Sequence, residues 1–274
     1  MFRYNLFPKK KGFLSGMSIT NKLILINVAL FFVSYFIVRI YGEAFFTSNF
    51  ALTPSLILSG EKLWTIFTSM FLHAGFFHIF ANMFSLFFIG NFLEKILGKK
   101  RFLLIYLVAG LIGGLFFVSS GMIFSDNVPG IGASGAVFGV LGVLAILVPY
   151  SKIYLIAGPL ILIILSFILG PFVPADLFSF FNLVVNILII VMIFSILSFN
   201  PLMRKFAVPV ELPMWVLPIV AIVPLVLIGF IPGIPELPIG NSAHIGGLIA
   251  GIFYGVYLRN KFPRKTKMLR GYFK

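Results

Sequence analysis

Apolar positions along this chain fall in long unbroken runs and do not alternate with polar ones. Runs of that kind predict membrane-crossing helices, because a helix satisfies its own backbone hydrogen bonds in lipid. The first run covers about residues 23–40. A connection over about 41–68 mixes apolar residues with Glu43, Glu61, Lys62 and Trp64, which predicts a structured loop at the membrane interface. Further spans are expected over about 76–97, 102–124 and 134–148. Next come 153–169, closed by Pro171 and Pro174, then 181–197, then 215–231, where Pro218 and Pro224 predict a kink. A Pro/Gly-rich loop leads to a last span over about 243–258. The pattern is that of an all-α multi-pass membrane protein with about eight transmembrane helices and no strands.

Composition removes the alternatives. The chain has 274 residues, 60% hydrophobic and only 10% charged, with a mean hydropathy of +1.12. A soluble domain of this size needs far more polar surface. Cysteine is absent, which excludes disulfides, thiolate metal sites and cysteine nucleophiles. A net charge of +14 suggests nucleic acid, but the distribution of that charge argues otherwise. Of 21 Lys and Arg residues, all but Arg39 and Lys62 fall on one side of the predicted spans. Such bias is a topology signal, and it predicts both termini in the cytoplasm and no nucleic-acid partner. Residues 1–20, with Arg3 and Lys9-Lys10-Lys11, are expected to be a retained basic tail, since no small-residue cleavage pattern follows the first run. Residues 21–258 form the transmembrane domain and 259–274 a second basic cytoplasmic tail.

The candidate chemistry begins at Gly130-Ile-Gly132-Ala-Ser134-Gly135, which sets one hydroxyl among glycines at the head of an apolar helix. Ser134 is 18 residues from Lys152, about 27 Å along a helix. His78 is 17 residues from Lys95, about 26 Å, and His244 is 15 from Arg259, about 22 Å. The hydroxyl and two imidazoles are therefore expected at similar depth. Polar groups at membrane depth are costly and point to function. Taken singly, a histidine there can also sit among headgroups, and an asparagine can simply bond a neighbouring helix.

A serine needs a base to become a nucleophile, and His244 is the candidate. The helices carrying them must then pack closely. Gly135, Gly139 and Gly142 on one, with Gly247 and Gly251 on the other, permit it. His78 and Asn82 share a helix face at i and i+4 and can donate to an oxyanion beside the Ser134 amide. The nearest acid before His244 is Glu236, eight residues away in a loop, so a Ser–His dyad is expected in place of a triad. Ala136 stands where the soluble nucleophile elbow has its second glycine, which argues against an α/β-hydrolase.

Together these residues resemble the rhomboid intramembrane serine proteases. That family's G-x-S-G stands as Gly132-Ala133-Ser134-Gly135. Its H-x-x-x-x-H-x-x-x-N stands as His73, His78 and Asn82, and its A-H-x-x-G-x-x-x-G as Ala243-His244 with Gly247 and Gly251. The resemblance implies a six-helix core that cleaves transmembrane protein substrates near the outer face of the bilayer, with no metal or cofactor. It implies Ser134 as nucleophile, His244 as base, and His78 and Asn82 as oxyanion donors. Phe138 falls where the family often sets an aromatic ring against the catalytic imidazole.

Two features depart from the family. Trp64 is followed by Thr65 where the family often has Trp-Arg. Ser134 and His244 lie 110 residues apart, so an inserted helical hairpin over about 153–200 is expected. The span over 215–231 then stands where the family has its mobile fifth helix. A prokaryotic plasma membrane is the simplest location. Two other functions remain open: a catalytically silent rhomboid-like binding or quality-control protein, and a small transporter. Substrate and oligomeric state are not legible.

Overall fold

The computed structural model describes residues 16–195, 200–228 and 240–273. The basic stretch with Arg3 and Lys9–Lys11 and the loop with Glu236 lie outside the described residues. In chain order the helices are α1 (Ile19–Tyr41), α2 (Glu43–Phe50), α3 (Pro54–Leu58), α4 (Thr65–Thr68), α5 (Phe76–Leu97), α6 (Lys99–Phe124) and α7 (Ser134–Leu147). Then come α8 (Ala157–Leu169), α9 (Ala175–Ser195), α10 (Pro201–Phe206), α11 (Leu217–Ile228), α12 (Asn241–Lys261) and α13 (Pro263–Tyr272). Two short strands, β1 (Lys152–Ile156) and β2 (Pro209–Pro213), accompany them.

Among the described residues, four helices are long and apolar enough to cross a membrane: α1, α5, α6 and α9. Helix α7 is apolar but only 14 residues long, about 21 Å. It is buried almost all round, through residues such as Val140, Val143 and Leu144, as befits a helix apolar on every face.

The chain divides into two compact units, one of residues 1–147 and 240–263, the other of 148–239 and 264–274. The first contains α1 to α7 and α12. Its core runs through Leu86, Leu93, Phe102, Tyr106, Val140 and Leu144. One end is tied by a polar network that hydropathy does not reveal. The buried Glu94 carboxylate accepts the Ile19 and Thr20 backbone N–H groups at 2.9 and 2.8 Å and the Thr20 hydroxyl at 2.7 Å. These are orphan donors of the first turn of α1, and a carboxylate at that positive helix end satisfies them. Ser18 donates to Asn91 Oδ1 beside it and accepts from Asn21 N–H.

The expected interfacial connection is a series of short helices, α2 to α4. In place of an arginine after Trp64, Lys62 supplies the cation. Its ammonium sits 5.3 Å from the Trp64 ring and donates to Asn49 Oδ1 at 2.7 Å, while Trp64 Nε1 donates to the Asn49 carbonyl. Thr65 is fully buried and bonds back to the Lys62 carbonyl.

In the second unit, β1 and β2 pair antiparallel, Lys152 opposite Pro213 and Tyr154 opposite Glu211. Lys152 Nζ lies 2.6 Å from Glu211, which holds that lysine above and that glutamate below their ordinary ranges. This corrects the expectation of a strand-free chain and of a span starting at residue 153. Ile153-Tyr-Leu-Ile156 is apolar enough to extend a helix and β-branched and aromatic enough to form a strand. Pairing with a proline-bounded partner decides for the strand. Helix α8 is thereby cut to 13 residues, about 20 Å. The depth estimate for Ser134 measured along a helix to Lys152 fails too, since α7 stops at Leu147.

Candidate active site

Ser134 opens α7, and His244 stands in the first turn of α12. Their side chains meet: His244 Nε2 is 2.7 Å from Ser134 Oγ. Glycines make this approach possible. A Cβ on Gly247 would overlap the Gly135 carbonyl, and one on Gly251 would overlap the Gly139 carbonyl. One on Gly142 would lie 2.7 Å from the Leu248 carbonyl oxygen. The backbones of α7 and α12 therefore touch along more than two turns.

The Phe138 ring, one turn below Ser134, stacks on the imidazole with centroids 4.5 Å apart and planes at 21°. That fixes the ring plane so that one nitrogen faces the hydroxyl. His244 is buried, and among the described residues its Nδ1 has no hydrogen-bond partner. In the tautomer whose Nε2 accepts a hydrogen bond from Ser134, Nδ1 carries the ring hydrogen, and among the described residues no carboxylate receives it.

The loop before Ser134 is held from outside. Leu52 and Gly130 exchange a pair of 2.9 Å backbone hydrogen bonds, and Gly132 N–H donates to the Ser69 carbonyl. Gly132 has φ +142°, a region L side chains rarely adopt. A Cβ there would sit 2.9 Å from His78 Nε2 and 3.7 Å from Ser134 Oγ. The missing methyl thus leaves a small space lined by the hydroxyl on one side and an imidazole nitrogen on the other. The Ala74 backbone N–H points at His78 Nδ1 at a long 3.5 Å. An acceptor role for Nδ1 leaves Nε2 as the protonated donor facing that space.

Asn82 is buried one turn along α5, and one of its amide hydrogens goes to the His78 carbonyl at 3.0 Å. The second remains for another acceptor. His73 packs edge-on against His78 with centroids 5.0 Å apart. Burial and the adjacent His78 ring push its pKa down to about 3, so it is neutral at ordinary pH.

The sequence reading passed over a further set of small residues, on α6. Gly139 lies so close to Ala109 that a Cβ would overlap it, and one on Gly113 would come within 2.7 Å of the Ala243 carbonyl oxygen. Helix α6 thus backs both halves of the Ser–His pair. Its signal was legible: Ala109, Gly110, Gly113 and Gly114 form two interleaved small-xxx-small pairs.

A family model described as the Rhomboid domain matches residues 60–181 and 184–261, most of the chain. The chain belongs to the rhomboid family. It is 45% identical over 92 residues to RHOMBOID-like protein 1 of Arabidopsis thaliana, 34% of this chain and 23% of that protein. It is 38% identical over 121 residues to Rhomboid protease GluP of Bacillus subtilis, 43% of this chain and 23% of that one. It is also 38% identical over 86 residues to Inactive RHOMBOID-like protein 8 of Arabidopsis thaliana, 31% and 23%. The chain thus spans about a quarter of the length of these rhomboid relatives. Rhomboid membership and the membrane-crossing helices make this an integral membrane protein of a family with protease-named members.

Proposed function

We propose that this chain is an intramembrane serine endopeptidase that cleaves transmembrane proteins through a Ser134–His244 dyad. The observation that carries the proposal is the 2.7 Å contact between the two side chains. His244 Nε2 takes the Ser134 proton as Oγ attacks the scissile carbonyl. The resulting oxyanion lies in the space beside Gly132 and accepts from His78 Nε2–H, an Asn82 N–H and a first-turn amide of α7. On collapse, His244 gives its proton to the departing amine, leaving an ester on Ser134. A water, deprotonated by His244, hydrolyses the ester and restores the serine.

In this reading both termini are cytoplasmic and the dyad lies toward the opposite face. The one-sided distribution of Lys and Arg supports that orientation, and a prokaryotic plasma membrane is the simplest host. The hairpin over about 153–200 is read as an insertion within the domain over 21–258, with basic tails on either side. Its support is that 148–239 groups into a compact unit apart from the dyad. In that grouping α11 goes with the hairpin, and the dyad's unit holds five of the six helices expected of the core. Neither metal nor cofactor has a part in this chemistry.

Reconstitution in liposomes with a single-span substrate tests the proposal. Wild type is expected to release two fragments, and Ser134→Ala and His244→Ala none while remaining folded. Cleavage by either variant would falsify the dyad. A catalytically silent protein is favoured only by the likeness to a relative named inactive, and uncut substrate with wild type would establish it.

A further inference from the structure

An apolar groove of about 310 Å³ runs between α6 and α12. Leu104, Val108 and Ile112 form one wall, and Ile249, Phe253 and Tyr254 the other. The dyad does not use it, and no polar side chain lines it except the Tyr254 phenol. One end of the groove is cationic. Helix α6 begins there and α12 ends there, so Arg101 stands one turn before Leu104 and Lys261 two turns after Tyr254. The Arg101 guanidinium lies 5.0 Å from the Phe262 ring. Lys261 donates to Tyr257 Oη at 2.5 Å and sits 6.0 Å from the same Phe262 ring. Both cations are within electrostatic reach of Tyr254, in the groove wall. Lys99, Lys100, Arg101 and Lys261 are all exposed.

No exposed carboxylate of this unit competes for them. Glu94 is at this end but is buried and bonded to α1. Glu43 and Asp126 follow the opposite ends of α1 and α6, and Glu61 belongs to the connection that packs Pro54 on Gly121 there.

The dimensions select the occupant. From Arg101 to Ile112 is about 16 Å of helix, and from Lys261 to Ile249 about 18 Å. Each is roughly half of a hydrocarbon core about 30 Å thick, the depth of one leaflet. Spread over the about 12 Å of α6 from Leu104 to Ile112 that lines it, the volume gives a cross-section of about 26 Å², against about 80 Å² for a helix about 10 Å across. That admits a single hydrocarbon chain and not a helix. We propose that the groove binds an anionic phospholipid, one acyl chain between the walls and the phosphate at Arg101 and Lys261. A zwitterionic headgroup would bring its own cation against these two and gain less.

The test is lipid binding to the full chain, purified in neutral detergent, by native mass spectrometry. It needs no proteolysis, so it stands or falls apart from the dyad. Phosphatidylglycerol is expected to bind at one site more tightly than phosphatidylcholine with the same oleoyl chains. Arg101→Gln with Lys261→Gln should weaken phosphatidylglycerol about thirtyfold, two interfacial charges at about 1 kcal/mol each, and leave phosphatidylcholine unchanged. Val108→Trp, or Leu104→Trp should the first not fold, should lower binding of both by filling the groove. Equal affinity of wild type for the two lipids, or an unchanged phosphatidylglycerol affinity in the double variant, overturns the proposal. So does a groove-filling variant that disrupts a dimer while lipid binding persists, which would give the groove to a second copy.

Discussion

Three neighbours limit the freedom of the Ser134–His244 pair. Phe138 fixes the plane of the His244 ring, Gly132 keeps open the space proposed for the oxyanion, and His78 faces that space. Gly132→Ala should therefore abolish cleavage while the protein still folds, through a strained φ and a methyl against His78 Nε2. Full cleavage by that variant, measured beside its thermal midpoint, would refute the assigned space. His78→Ala and Asn82→Ala should each slow turnover by about a hundredfold with little change in substrate binding, the loss typical of one oxyanion donor. His73 has another part to play. It is neutral when folded, with its pKa near 3, but titrates near 6.5 when unfolded. The unfolded state thus gains protons first as pH falls, so its stabilising contribution is full above about 6.5 and lost progressively toward pH 3. The thermal midpoint in detergent should drop across that window, and His73→Phe should flatten the drop. Ser134, His244, His78 and Asn82 stand out as candidates by residue type and spacing. The 2.7 Å contact was not, because it depends on how two helices 110 residues apart come together.

That meeting is decided by elements. The α7 and α12 backbones are in contact at Gly135–Gly247 and Gly139–Gly251, with α6 closing from behind at Ala109 and Gly113. Gly251→Leu should cost about 3 kcal/mol or more, since no side chain can yield where the obstruction is a backbone carbonyl. Its unfolding midpoint should fall together with its reactivity toward serine probes. Near the end of α5, Glu94 holds the start of α1. Glu94→Ala strands two backbone donors and a hydroxyl, and should lower stability by about 3 kcal/mol while a folded fraction keeps the turnover of wild type. Hydropathy announced α1, α5 and α6 within a few residues of their ends. It could not announce Glu94, since nothing in its sequence neighbourhood tells a solvated acid from a helix cap. It misread residues 153–156, because apolar runs look alike in a strand and in a helix until a partner is found.

At the scale of the molecule, composition and the rhomboid pattern lead to the same place. A chain 60% hydrophobic must live in lipid, and three short motifs in order bring a hydroxyl and an imidazole together within one compact unit. Basic residues also give one end of the α6–α12 groove its charge. What long-range packing contributes, and local pattern cannot, is the contact that aims one nitrogen of His244 at a single oxygen. Labelling with a fluorophosphonate measures that reactivity without knowledge of the substrate. Wild type in detergent should take one covalent adduct, mapped to Ser134 by peptide mass, and His244→Ala should take none at the same concentration. An adduct on another residue, or equal labelling of Ser134 in the His244→Ala variant, would contradict the dyad.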